Sequence, residues 1–149
     1  MKISTKGRYG LRAMMDLAAF GASGTPVFLS DIAKRQALSE KYLEHIFGAL
    51  HKAGLVKAVR GRKGGYLLNR LPVDITVSHI LTVLEGPCNT LVDCVTDVTV
   101  CPKTDVCATR DIWTVLGSKI EETLSSYTLA DVVERQREKS GKEALMYHI

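Results

Sequence analysis

The sequence predicts a mainly α-helical protein with a small β wing, built as a winged helix-turn-helix that is followed by a long dimerisation helix. Within residues 29–68, two helical segments flank a turn, and a basic segment rich in glycine then joins two short strands. Further along, apolar residues repeat every four positions from Ile112 to Leu124. Spacing of this kind is typical of an amphipathic helix, whereas short runs bounded by glycine are typical of strands.

The first half of this motif reads as two helices separated by a turn around residues 37–38. Ser30 is predicted to cap the first helix, and Ser39 the second, because a serine hydroxyl accepts a hydrogen bond from a free backbone N–H. Gly54 is predicted to end the second helix, since glycine adopts a positive φ at low cost. The apolar face of that second helix is formed by Tyr42, Leu43, Ile46, Phe47 and Leu50.

The second half of the motif reads as a wing. Leu55–Val59 and Tyr66–Leu68 are predicted strands, and the segment RGRKGG joins them. A helix fits the major groove of duplex DNA, and its first turns can contact base edges. Cationic side chains at the wing tip can lie against phosphates or enter a minor groove. The alternative interpretation is an ordinary helical hairpin with a solvated loop.

Several polar residues on this motif are candidates for contacting DNA. Glu44 can accept a hydrogen bond from a cytosine amino group, and Lys41 and His45 can donate to bases or phosphates. For each of them, plain solvation is the alternative. The full set of candidates is Ser39, Lys41, Tyr42, Glu44, His45, Arg60, Arg62 and Lys63.

The charge of the chain is distributed unevenly. Residues 1–70 hold 13 Lys and Arg against 4 Asp and Glu, a balance of +9, whereas residues 71–149 hold 7 against 12, a balance of −5. This asymmetry predicts that only the first half meets a polyanion such as DNA. No apolar run is long enough to span a bilayer, and no signal peptide is evident, so we expect a cytoplasmic protein without a membrane partner.

The sequence also argues against an enzyme. It contains no nucleotide-binding glycine loop, no Ser–His–Asp arrangement and no His–Glu metal helix.

Leu71-Pro72 interrupts the pattern of the first half, because proline lacks an N–H donor and restricts the residue before it. We therefore predict a DNA-binding domain over residues 1–72 and a second unit over residues 73–149.

The second unit is predicted to hold the dimer interface. A short helix over Thr76–Leu84 comes first, and a longer helix begins near Thr109. The apolar stripe of the longer helix is wide for so small a domain, which indicates a homodimer. Packing within one monomer is the alternative. Thr128 is predicted to cap a last helix, and the terminal ALMYHI is expected to pair as a strand or to dock on the core.

Four cysteines lie within twenty positions between these helices: Cys88, Cys94, Cys101 and Cys107. In a cytoplasmic protein, such clustering favours metal or redox chemistry over structural disulfides. A tetrahedral zinc site and a thiol–disulfide switch are both compatible with the residues alone.

These segments together resemble one family of bacterial winged-helix repressors, those of the IscR and CymR type. The resemblance is carried by MKISTKGRYGLRAM, LSEKYLEHIF, KAGLVKAVRGRKGGYLL, ITVSHILTVLEGP and SYTLADVV, and it spans nearly the whole chain. It implies a homodimeric transcription factor that binds a double-stranded operator, with a long dimerisation helix after the cysteine loop.

In IscR-type members, three cysteines of this loop hold an iron–sulfur cluster, and Cys94, Cys101 and Cys107 match those positions. The resemblance favours a [2Fe–2S] cluster, and thiolates are suitable ligands for it. Arg110 stands where such members often have a ligating histidine. Arg8 and Arg12 stand in the first helix, from which other members take an acidic or histidine ligand. The fourth ligand is therefore open, and its candidates are Cys88, Asp93, Asp97, Asp105 or a histidine from elsewhere.

CymR-type members instead bind DNA without a cluster, and they are controlled through cysteine metabolism and a partner protein. MKISTKGRYGL and EALMYHI resemble that branch closely. Because the three cysteines can act as cluster ligands, the sequence favours a repressor that senses cluster status or redox state. The alternative is a cluster-free repressor of cysteine or sulfur metabolism genes, controlled by a metabolic enzyme or a thiol metabolite.

Overall fold

The computed structural model describes residues 2–146, and the surroundings of side chains for residues 2–141. Its helices are α1 (Thr5–Phe20), α2 (Leu29–Gln36), α3 (Glu40–Lys52), α4 (Val77–Glu85), α5 (Asp93–Thr96), α6 (Ala108–Ser125) and α7 (Leu129–Met146). The strands are β1 (Val56–Val59) and β2 (Gly65–Leu68). This order of elements is the predicted winged helix-turn-helix followed by a long helix.

The two strands form an antiparallel ribbon in which Val56 pairs with Leu68 and Val59 pairs with Gly65. Val27, which precedes α2, adds an isolated bridge to Tyr66, with N···O distances of 2.9 and 2.8 Å. Gly65 has a φ of +134°, and a Cβ atom there would lie 2.5 Å from the carbonyl oxygen of Val27. Glycine is thus required where the wing meets the entry to α2.

Helix caps explain where most helices begin. The Ser39 hydroxyl accepts a hydrogen bond from the Tyr42 N–H at 3.1 Å, which confirms the predicted cap of α3. The predicted Ser30 cap is wrong, because α2 already begins at Leu29 and its N-cap residue is Phe28, which makes no side-chain cap. The pairing of Val27 with the wing leads the chain directly into the helix, and the carbonyl of Phe28 accepts the first helical hydrogen bonds.

The turn between α2 and α3 is formed by Ala37, which has a φ of +53° and lies in the left-handed region. Gly54 has a φ of +74° and follows α3, as predicted. Non-glycine residues rarely adopt a positive φ, so the left-handed conformation of Ala37 is a defining feature of the turn in the helix-turn-helix.

The apolar core lies under the helix-turn-helix and extends beyond it. Phe47 and Met14 are fully buried, and Ile75, Ile80 and Leu129 are fully buried in the same cluster. Helices α4 and α7 both pack against α1. These contacts cross residue 72, and the division into residues 1–72 and 73–149 stays a prediction.

The segment between α4 and α6 is largely irregular, as expected. It contains α5 and two short 3₁₀ turns, Val98–Val100 and Thr104–Val106.

Towards the C-terminus, residues 144–146 belong to α7, so the prediction of a strand at these positions is wrong. The charged run before them consists of strong helix formers, which extends the helix. Residues 147–149 lie outside the described part. Among residues 2–146, no helix is both long enough and apolar enough to cross a membrane.

Candidate nucleic-acid interface and cysteine loop

Helix α3 separates its apolar and polar sides cleanly. Its buried side is fully enclosed and is formed by Leu43, Ile46, Phe47 and Leu50. Lys41, Glu44 and His45 lie on the opposite, exposed side. A helix anchored on one side by a packed core can present the other side to a groove without moving.

Two further candidates lie at the start of α3. Ser39 is exposed, but its hydroxyl oxygen is engaged in the cap. Tyr42 is half-buried, with its ring edge-on to Tyr9 at a centroid distance of 6.3 Å. The guanidinium groups of Arg8 and Arg12 lie 5.7 and 5.5 Å from the Tyr9 ring centroid. The beginning of α1 thus adds positive charge next to the first turn of α3.

The three cations of the wing tip, Arg60, Arg62 and Lys63, are exposed. Within the described part of the chain, none of them forms an ion pair. The hairpin that carries them is tight, because a Cβ atom on Gly64 would lie 2.3 Å from the Val59 carbonyl oxygen. Their charge is therefore concentrated and available to a polyanion.

An ion pair that the sequence patterns did not predict joins α1 to α2. Asp16 is only 3% exposed, and the Nε and Nη2 atoms of Arg35 donate to its carboxylate at 2.6–3.1 Å. These hydrogen bonds raise the pKa of Arg35. Gln36 Nε2 donates to the same carboxylate at 2.9 Å. The signal that could have indicated this contact is an aspartate within the apolar face of the first helix, because a buried charge needs a partner.

The four cysteines all have free thiols and are partly buried. Over the described residues, no three or more His, Cys, Asp or Glu side chains are gathered closely enough to hold a metal ion. As arranged here, Cys94, Cys101 and Cys107 do not form the predicted ligand set. Of the candidate fourth ligands, Asp97 is engaged, because its Oδ1 accepts from the Thr99 N–H at 2.9 Å and from its hydroxyl at 2.6 Å. These bonds lower the pKa of Asp97.

The environments of two of these thiols differ in their effect on acidity. Cys107 immediately precedes α6, and its Sγ lies 3.1 Å from the Thr109 hydroxyl oxygen. That contact and the N–H of Arg110 lower the pKa of Cys107. Burial, with Glu121 and Glu85 nearby, raises the pKa of Cys88. The thiolate is the reactive and ligating form, so Cys107 is the more readily activated of the two.

The cysteine loop is fastened to α6 at two points. Arg110 Nε donates to the carbonyl oxygen of Cys94 at 2.8 Å. Gly117 is buried, and a Cβ atom there would lie 2.1 Å from the Asn89 carbonyl oxygen. Arg110, which stands where a histidine was expected, therefore holds the loop through the backbone of Cys94. A shift of the loop would change the position of α6.

A family model described as "Rrf2: Iron-dependent Transcriptional regulator" matches residues 3–135. The chain belongs to the Rrf2 family of transcription regulators. The resemblance found in the sequence is thereby confirmed, and so is the predicted fold class.

Individual relatives of this Rrf2 chain are also named as transcription regulators. The HTH-type transcriptional regulator CymR of Bacillus subtilis is 41% identical over 149 residues, which covers 100% of each chain. The solved structure of CymR, described as the global cysteine regulator of that organism, has a TM-score of 0.76 at 39% identity and covers 91% of this chain and 98% of its own. The structure of T. potens IscR has a TM-score of 0.74 at 45% identity and covers 93% and 90%. Because the relatives are named as regulators, the expectation that this protein is not an enzyme is confirmed.

Proposed function

We propose that this Rrf2-family regulator is a sequence-specific repressor that binds a partly palindromic operator as a homodimer. The observation that carries this proposal is the exposed polar face of α3, which is held rigid by its fully buried opposite face. Each protomer places α3 in a major groove and its wing beside that groove. A protein with this function works on the chromosome, and thus in the cytoplasm.

Different residues serve affinity and specificity in this proposal. Glu44, Lys41 and His45 are proposed to reach base edges, with Ser39 and Tyr42 at the helix start against the backbone. The wing residues Arg60, Arg62 and Lys63 are proposed to contact phosphates. Contacts to phosphates position the protein and contribute affinity for any sequence, whereas contacts to base edges select the operator.

The homodimer is proposed to form along α6. This helix exposes large apolar side chains, including Ile112 at 60% and Val115 at 62% of their surface. Leu116 and Trp113 are exposed beside them. An apolar patch of this kind is costly in water and is covered favourably by the same patch of a second copy.

The cysteine loop is proposed to be the sensor, with Cys94, Cys101 and Cys107 as ligands of a [2Fe–2S] cluster and Cys88 as a candidate fourth. Their spacing in the sequence and the depressed pKa of Cys107 support this proposal. Since the described arrangement does not bring three ligands together, the loop would have to rearrange to hold a cluster. Loop position and α6 would then change together, because Arg110 joins them.

A second candidate is supported by a specific observation. The match to CymR covers both chains completely, and the loop is packed without a metal-binding group among the described residues. In this version the regulator carries no iron–sulfur cluster, and it responds to a metabolic enzyme or a thiol metabolite. Both versions share the same DNA-binding surface.

The DNA-binding proposal is tested by fluorescence anisotropy on an operator duplex across a salt series. Because each neutralised phosphate contributes ~0.9 to the slope of log K against log salt, we expect a steep loss of affinity with salt. Glu44→Ala should reduce discrimination between operator and random duplex. Glu138→Ala, which removes an exposed negative charge from α7, is the matched control. Failure to bind any duplex at low salt would contradict the proposal.

The sensor proposal is tested by anaerobic purification, cluster reconstitution, visible absorption and iron analysis. The wild type should be coloured and contain iron, and a variant with Ala at positions 94, 101 and 107 should contain none. Colourless, iron-free wild-type protein after reconstitution would reject the cluster. If the triple variant also keeps its regulated DNA binding, the cluster-free version is supported instead.

A further inference from the structure

A cavity of about 580 Å³ lies where α1, α2 and α7 meet, and no residue of α3 lines it. Small-molecule pockets in proteins are typically ~300–1,000 Å³. One wall comes from the last turn of α2, which is the first helix of the helix-turn-helix. The opposite wall comes from the middle of α7.

The wall on the α2 side is a connected set of polar side chains. Arg35 and Gln36 both donate to the buried carboxylate of Asp16. Arg12 in turn donates from Nε to the side-chain oxygen of Gln36 at 3.1 Å and from Nη2 to its carbonyl oxygen at 3.0 Å. These hydrogen bonds hold the side chains of this wall in place. Asp16 balances the charge of Arg35, and one further positive charge remains on Arg12.

A second positive charge comes from α7. Arg137 lines the cavity, and its contact within the described chain is a 3.5 Å pair with Glu134 in which both side chains are largely exposed. Such exposed pairs contribute little. No hydrogen bond from Arg12 Nη1 to a described residue is formed. The cavity thus has two guanidinium groups with unused N–H donors and a net positive lining.

The remaining wall is apolar. Met15, Ala19 and Phe20 of α1 face Val133 of α7 across the cavity. Phe20 is 56% exposed, which is unusual for so large an apolar ring, and the Arg35 guanidinium lies 3.9 Å from its centroid. A ligand that covered this ring would remove apolar surface from water.

We propose that this cavity binds a small monocarboxylate with a short apolar body. The carboxylate contacts Arg12 and Arg137, whose planar N–H groups match its two oxygens. The apolar body lies on Phe20 and Val133. Since the walls belong to α2 and α7, the bound molecule lies directly beside the DNA-reading unit.

Isothermal titration of the full-length protein with benzoate tests this site. Benzamide, which has the same ring and a similar shape but no charge, is the matched ligand. We expect saturable binding of benzoate and binding of benzamide weaker by about tenfold, as expected for loss of a charge-assisted hydrogen bond. Inorganic phosphate should bind more weakly than benzoate, because it makes no use of the apolar wall.

Two variants of α7 separate the site from general charge effects. Arg137→Gln should weaken benzoate by about tenfold. Arg135→Gln removes the same charge from the same helix, but Arg135 stacks on Tyr127 at 4.5 Å and lies outside the cavity, so benzoate binding should be unchanged. Both positions are exposed, and thermal unfolding should show that both variants fold.

Any of four results would overturn the proposal: no saturable binding of benzoate, equal binding of benzamide, tighter binding of phosphate than of benzoate, or an equal effect of the two variants. None of these measurements involves DNA, so they are independent of the operator-binding proposal.

Discussion

The carboxylate of Asp16 in α1 is bound by the guanidinium of Arg35 in α2 at 2.6 Å, and this carboxylate is almost completely shielded from water. Breaking a buried pair leaves the remaining charge without a partner, which is worth ~3–5 kcal/mol in fully buried cases. Arg35 retains 31% of its side-chain exposure, which screens part of this effect.

We therefore expect Asp16→Ala to lower the free energy of unfolding by about 2 kcal/mol in urea denaturation. The control is Glu122→Ala, which removes an exposed pair with Lys119 and should change stability by less than about 0.5 kcal/mol. Equal effects of the two substitutions would mean that the buried pair makes no special contribution.

The wing residues are expected to act on affinity without acting on folding. Removing one phosphate contact, as in Arg62→Ala, should weaken binding to specific and random duplexes alike and reduce the salt slope by about 1. Thermal unfolding should be unchanged, since Arg62 is exposed. A loss confined to the operator would instead assign Arg62 to base recognition.

The two cysteines with shifted pKa values should differ in their rates of alkylation. Because the pKa of Cys107 is lowered and that of Cys88 is raised, metal-free reduced protein should be alkylated faster at Cys107 than at Cys88 at neutral pH. Peptide mass spectrometry of iodoacetamide-treated protein measures the order. Thr109→Val removes the hydroxyl contact and should slow Cys107, while Thr114→Val, on the same helix, should not. Faster labelling of Cys88 would contradict this assignment.

The cap of α7 should make stability depend on pH. Asp131 Oδ2 accepts from the Thr128 hydroxyl at 2.7 Å and from its N–H at 2.8 Å, and these contacts lower the pKa of Asp131 from its ordinary value of 3.8. A depressed carboxyl pKa contributes stability that is complete above the unfolded value and is lost as pH falls through the folded value.

Asp131→Asn should accordingly be less stable than the wild type at pH 6, and the difference should narrow as the pH falls below about 4. Urea denaturation at a series of pH values measures it. Asp111→Asn, in the first turn of α6, is the comparison. A difference that stayed constant with pH would indicate that the charge of Asp131 is not involved.

Local signals accounted for most of the fold. The Ser39 cap, the Gly54 stop and the two strands depend on neighbours in the chain, so spacing and residue type were sufficient. The start of α2 was misplaced because it depends on Val27 pairing with Tyr66, a contact between residues distant in sequence.

The site was predictable to a similar depth. Amphipathic spacing indicated which side of α3 is exposed, and charge indicated the wing tip. The Asp16–Arg35 pair and the cavity beside it arise from the packing of α1, α2 and α7, which periodicity does not encode. The positions of the cysteine side chains likewise depend on loop packing, such as the bond from Arg110 to the Cys94 backbone.

The burial of Ile75, Ile80 and Leu129 beneath the helix-turn-helix limits how such regulators can be recombined. A chimera joined at residue 72 would set the reading unit of one protein on core residues chosen for another. Mismatched volumes there would leave cavities or overlaps under α1. Exchange of sensing regions between relatives would therefore have to carry these core positions along with the DNA-binding surface.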